Sequence, residues 1–207
     1  MFKVIHQIVA LTERITMICD VHDMVAFLDR DGTIIEEKDF IKSPDEIEFI
    51  PGSIEAIRIL KKLGYKIVVI SNQSGIGRGI LTEKMVKEVN ESFIRKLMEN
   101  GALIDALYFC PHHPDDDCDC RKPKTGLIQK AAAEHKLDLE KAVVIGDKLS
   151  DLELGKNLGG KSILVLTGYG KKEWEKLQDV TIKPDFIADD LLGAVNWLMN
   201  LSNHNPN

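Results

Sequence analysis

In the run Val25-Ala26-Phe27-Leu28-Asp29-Arg30-Asp31-Gly32-Thr33, two carboxylates stand one residue apart where an apolar segment breaks into a turn. A short continuous apolar run reads as a buried parallel strand, and open α/β sheets bind ligands just beyond the carboxyl ends of their strands. Carboxylates this close repel, so both ionise comfortably only beside a cation or with one of them protonated. A hard cation such as Mg²⁺ meets that need. The plain alternative is an Asp-Gly turn with solvated acids. An EF-hand loop fits worse: Gly32 comes too early, and the sixth residue after it is Lys38 where a Glu should close the loop.

A phosphate ester gives both carboxylates work. Asp29 would attack phosphorus as a covalent nucleophile, with Mg²⁺ held by Asp29, Asp147 and the backbone carbonyl of Asp31. Asp31 would protonate the leaving oxygen, then take a proton from the water that hydrolyses the aspartyl-phosphate. Ser71, Asn72 and a lysine would meet the phosphoryl oxygens as charge redistributes.

A second constellation lies at Cys110-Pro111-His112-His113-Pro114-Asp115-Asp116-Asp117-Cys118-Asp119-Cys120. It offers C-x-H and C-x-C, enough for a closed, structural Cys₃His zinc site. His112 repeats the one-residue gap of Cys118-Asp119-Cys120, and His113 is the alternative ligand. Next come Arg121-Lys122-Pro123-Lys124. A metal-pinned loop can hold Arg121 and Lys122 over the crevice, one gripping substrate and the other the phosphoryl group. Lys124 could replace Lys122 or simply sit near a helix start.

The elements that position these residues alternate. After the first strand, Pro51-Gly52 leads into a helix with Ile54, Ile57, Leu60 and Leu63 inward, ended by Gly64. A second strand, residues 65–70, finishes at Ser71-Asn72-Gln73-Ser74-Gly75. Thr82 caps a helix to about Asn100. A third strand over 106–109 runs into the cysteine loop, and a helix covers roughly 126–135. A strand over 142–145 ends at Gly146-Asp147-Lys148, and Ser150 starts the next helix. A strand over 162–166, a short one near Phe186 and a helix around 191–199 complete the pattern. This β-α alternation predicts a Rossmann-like three-layer α/β sandwich with a mainly parallel sheet. If the strands ending at Asp29, Ser71 and Asp147 are neighbours, their polar ends share one crevice.

Composition bounds the rest. The 207 residues, 44% apolar and 29% charged, suit one globular domain over 24–207. Residues 1–23 are expected to be an N-terminal extension, either a short helix or a leader from an upstream start. With 27 basic against 33 acidic residues the net charge is -6, which disfavours nucleic acid and anionic membranes. No apolar stretch reaches the roughly 18 residues of a membrane span. Clustered cysteines beside histidines suit metal in a reducing compartment, so a cytoplasmic protein is expected; the expected state is a monomer.

In order, DxDGT, a hydroxyl residue ending strand two, Lys, and Gly146-Asp147-Lys148-Leu149-Ser150-Asp151 resemble the haloacid dehalogenase superfamily of phosphohydrolases, over Met24 to about Gly168. The resemblance implies Mg²⁺-dependent phosphomonoester hydrolysis. The short segments at 30–50 and 110–124 leave no room for a cap domain. Together with the zinc loop and Ser71 to Glu83, they look like the capless subfamily of heptose bisphosphate and histidinol-phosphate phosphatases. The Ser71 to Glu83 stretch is closer to the heptose branch, and the short spacer between His112 and Cys118 to the histidinol-phosphate branch. Carried over by position, the heptose resemblance makes Glu37, Lys38, Asp39, Phe40, Ser71, Asn72, Gln73 and Ser74 substrate contacts. It makes Arg121 a recognition residue and Lys122 and Lys148 phosphate-side groups. The expected reaction is removal of the 7-phosphate of heptose 1,7-bisphosphate; histidinol phosphate hydrolysis and a non-catalytic phosphate-binding module are the alternatives.

Overall fold

The computed structural model describes residues 24–177 and 181–204; the expected N-terminal extension lies outside the described residues. Six strands form one sheet: β1 (Val25–Leu28), β2 (Lys66–Asn72), β3 (Ala106–Cys110), β4 (Val143–Gly146), β5 (Lys161–Val165) and β6 (Phe186–Ala188). Their order is β3-β2-β1-β4-β5-β6, and every pairing is parallel. β1 is therefore central, and its four residues are buried because helices cover both faces.

Alternation along the strands assigns each side chain to a layer. Ala26 and Leu28 of β1, with Ile67, Val69, Val143 and Ile145, face α1 (Ser53–Lys62), α2 (Glu83–Glu99) and α6 (Leu191–His204) through Leu60, Phe93 and Val195. Val25 and Phe27, with Val68, Ile70 and Val144, face α3 (Gly126–His135) and α4 (Leu149–Leu158) through Ile128 and Leu154. No helix among the described residues is long and apolar enough to cross a membrane.

The α/β alternation, the three layers and the parallel sheet match the sequence expectation, with local differences. β2 continues through Ser71 and Asn72, because Phe109 and Cys110 of β3 stand opposite them in register. Ser71 is thus fixed by a sheet ladder and not by a turn. Thr82 caps α2, its Oγ1 accepting from Met85 N–H at 3.2 Å. A further helix, α5 (Gly170–Lys176), escaped the sequence reading because GKKEWEK carries a single large apolar residue and no periodic face.

Candidate active site

β2, β1 and β4 are adjacent, so their carboxyl ends bring Ser71, Asp29 and Asp147 to one crevice. The junction is stitched by Asp29 N–H donating to the Ile145 carbonyl at 2.9 Å. The crevice encloses about 490 Å³. It is lined by Asp29, Asp31, Glu37, Asp39, Phe40, Ser71, Asn72, Gln73, Ser74, Arg121, Lys122 and Lys148 from the sequence expectation, together with Arg78 and Tyr169.

Asp29 is buried. Its Oδ1 accepts from the Arg30 backbone N–H at 2.8 Å and meets Lys122 Nζ at 2.8 Å. Burial alone would raise its pKa; the charges of Lys122 and Lys148 and these hydrogen bonds outweigh that and hold the carboxyl below its ordinary value. The result is an ionised carboxylate at the centre of the site. Lys122 Nζ also lies 2.7 Å from Asp151 Oδ1, and the two carboxylates overcome the cost of burying its charge and raise its pKa. Lys124 is turned to the exposed Asp117 at 2.6 Å, which leaves Lys122 as the lysine in the crevice.

Asp147 stands beside Asp29 and Asp151, with ligand oxygens of all three within 4.8 Å of one another. Burial and the Asp29 charge push its pKa up to about 8. Its Oδ2 accepts from Tyr169 N–H at 2.8 Å, while Oδ1 is buried with no partner. A buried, unpartnered carboxylate oxygen facing two more acids is the donor set a divalent hard cation requires, so the residues fit Mg²⁺. Gly32 makes room for this arrangement. Its φ is +82°, and a Cβ there would fall 2.2 Å from Asp147 Oδ2. The Asp-Gly turn and the acidic site are thus one device.

Asp31 is set apart from that cluster. Its carboxylate accepts from Arg30 Nε and Nη2, from Gln73 Nε2 at 2.9 Å and from Ser71 Oγ at 3.3 Å. Gln73 and Ser71 therefore point at Asp31 as well as lining the crevice. Asn72 holds the following loop by its side chain: Oδ1 accepts from Lys122 N–H at 3.1 Å and Nδ2 donates to the Lys122 carbonyl at 3.2 Å. Arg121 brings a buried Nη1 with no partner to the wall. Lys148 bridges to Glu37 at 2.8 Å across the mouth, and burial raises the Glu37 pKa against the pull of that lysine.

Lys38 departs from expectation. Its ammonium is satisfied by the Glu46 carbonyl at 3.0 Å and the Glu48 carboxylate at 2.8 Å, outside the crevice. Lys38 finds its partners on the 46–48 segment, whereas Glu37 pairs with Lys148 at the mouth. The sequence reading misses Arg78 and Tyr169 as site members, and it takes Asp151 as the last acid of the GDxxxD motif without a role of its own. Asp151 reads as a helix-terminal acid, and it is one, accepting from Lys148 N–H at 3.1 Å; its other oxygen anchors Lys122. Tyr169 follows β5 and hydrogen-bonds Asp39 Oδ1 through its hydroxyl at 2.8 Å. The only hint was its place in Thr167-Gly168-Tyr169-Gly170, a polar break after a strand.

The cysteine loop closes one side. Sγ atoms of Cys110, Cys118 and Cys120 lie 3.1 to 3.5 Å apart, and His112 Nδ1 is 3.1 Å from Cys120 Sγ. All four donor atoms fall within 4.8 Å of one another. The sulfur spacing is close to the roughly 3.7 Å edge of a tetrahedron with zinc–sulfur bonds of about 2.3 Å. His113 is not in the cluster; its backbone N–H donates to Asp116 and its ring faces Asp115.

Comparison with known proteins agrees with this geometry. Residues 119–194 match the HAD-hydrolase-like family model. The chain is 38% identical to D-glycero-beta-D-manno-heptose-1,7-bisphosphate 7-phosphatase of Haemophilus influenzae over 178 residues, 82% of this chain and 91% of the relative. It is 44% identical to the enzyme of the same name from Helicobacter pylori over 142 residues, 68% of this chain and 82% of the relative. Among solved structures it is similar to the D,D-heptose 1,7-bisphosphate phosphatase of B. bronchiseptica, crystallised with magnesium and phosphate. That likeness has a TM-score of 0.78 and 34% identity, covering 86% of this chain and 99% of that one. The chain belongs to the heptose 1,7-bisphosphate 7-phosphatase family of haloacid-dehalogenase-like hydrolases.

Proposed function

We propose that the protein hydrolyses the 7-phosphate of D-glycero-D-manno-heptose 1,7-bisphosphate through an aspartyl-phosphate on Asp29, as a cytoplasmic monomer whose catalytic domain spans 24–207. The observation that carries this reading is the ionised Asp29 at the end of the central strand, held by Lys122 and flanked by the unpartnered Asp147 oxygen. Both protein contacts fall on Asp29 Oδ1, which leaves Oδ2 to attack phosphorus in line with the leaving oxygen. Lys122 offsets charge on the phosphoryl oxygens, and Asp151 keeps that lysine in place. Asp31 gives its proton to the departing sugar oxygen and later takes one from the water that cleaves the acyl phosphate. Asp29, Asp147 and the Asp31 carbonyl would hold Mg²⁺, which supplies charge neutralisation between carboxylate and phosphate. Cys110, His112, Cys118 and Cys120 would hold Zn²⁺ as a structural pin. Arg121, with its free buried N–H, suits the second phosphate, and Glu37, Asp39, Phe40, Ser74 and Lys148 suit the sugar.

The test is phosphate release with Mg²⁺ from both anomers of heptose 1,7-bisphosphate and from histidinol phosphate, side by side. The bisphosphate is expected to give the greater kcat/KM. A greater value on histidinol phosphate rejects the substrate assignment.

A further inference from the structure

Arg30, between the two acids, is one of the largest side chains buried in the protein, with only 1% exposure. A buried guanidinium is costly unless every donor is used. This one is placed with care: Nε lies 3.1 Å from Asp31 Oδ2, Nη2 lies 3.0 Å from Asp31 Oδ1, and Nη1 donates to the Asn90 side-chain oxygen. One edge of the guanidinium, Nε and Nη2, thus grips both oxygens of the Asp31 carboxylate, and Nη1 moors the group to α2. Asn90 is buried too, and its position on α2 is independent of the strands that carry the chemistry.

We propose that Arg30 and Asn90 form a positioning clamp that fixes the Asp31 carboxyl in the plane and direction needed to exchange a proton with the leaving oxygen. The inference rests on the reading of Asp31 as proton donor. Arg30 lines the crevice, but its Nε and Nη2 are turned to Asp31 and its Nη1 to Asn90, so the guanidinium is engaged by protein and not offered to substrate. Asp31 without the clamp would keep only Ser71 and Gln73, both on the β2 side of the carboxylate. A guanidinium fork fixes both oxygens of a carboxylate, whereas the ammonium of a lysine meets it as a point charge.

Leaving-group dependence tests the clamp. As the bond from Asp29 to phosphorus forms and the ester P–O bond breaks, an alkoxide needs the Asp31 proton, but 4-nitrophenolate leaves without it. The measured quantity is kcat/KM for an alkyl phosphate divided by that for 4-nitrophenyl phosphate, in wild type, Asp31→Asn, Asn90→Ala and Arg30→Lys. Asp31→Asn should lower the ratio by about 100-fold or more. Asn90→Ala should lower it by about 10-fold and Arg30→Lys by about 100-fold, since an angstrom of misplacement costs on the order of 100-fold. A role in folding alone would depress both substrates equally and leave the ratio unmoved. The clamp is overturned if Asp31→Asn shifts the ratio and Asn90→Ala does not, whatever becomes of the Arg30→Lys fold. An unchanged ratio in Asp31→Asn instead removes the proton-donor reading and the clamp with it.

Discussion

At the scale of single residues, the site divides its acids by what each one touches. Asp29 is ionised because two lysines and a backbone N–H outweigh its burial, whereas Asp147 has one backbone N–H and two acidic neighbours, and its pKa rises to about 8. The sign of the consequence follows directly. An acid with a folded pKa above its unfolded value of about 3.9 leaves the folded state holding the extra proton between those values, so stability falls as pH rises from about 4 to about 8. Asp147→Asn removes the ionisation. In Mg²⁺-free buffer its Tm should exceed that of wild type by a margin that grows between pH 5 and pH 8 and then levels off, while Mg²⁺-dependent turnover drops at least about 100-fold. A stability difference that ignores pH would contradict the assignment of Asp147 as the strained acid.

At the scale of elements, the loop after β3 matters more than its length suggests. Three thiols and His112 gather its ends, and the next residues carry Arg121 and Lys122 into the crevice. Asn72 then ties the Lys122 backbone to the end of β2 from the other side. Cys118→Ser should reduce bound zinc well below one equivalent by elemental analysis. It should also lower kcat by about 10-fold or more, because the ammonium held between Asp29 and Asp151 loses its anchor. Normal turnover in a zinc-depleted Cys118→Ser protein would mean that the loop holds Lys122 without metal.

At the scale of the whole molecule, chemistry and stability occupy different ends of the same sheet. The reacting groups sit at the strands' carboxyl ends, while Leu60 of α1 is fully buried under the opposite stretch of the layer it shares with Ile67 and Val69. Leu60→Ala should cost about 3 kcal/mol and lower Tm by roughly 6–12 °C, with kcat at 25 °C within about twofold of wild type. A parallel fall in kcat would show that the layers are coupled. The sequence alone determined the layers: the continuous apolar strands, the 3.6-residue faces of α1 and α2 and the polar breaks after β1, β2 and β4 are local signals, and local signals survive without coordinates. It also singled out Asp29, Asp147 and the cysteine loop, since their residue types have few other uses at that spacing. Tertiary structure alone decided that Lys122 and not Lys124 enters the crevice, that Lys38 leaves it, that Gln73 serves Asp31, that Asp151 anchors Lys122, and that Tyr169 completes the site. Those outcomes depend on which partner each polar side chain finds once the chain is folded, a competition between burial and pairing that only the packed sheet resolves.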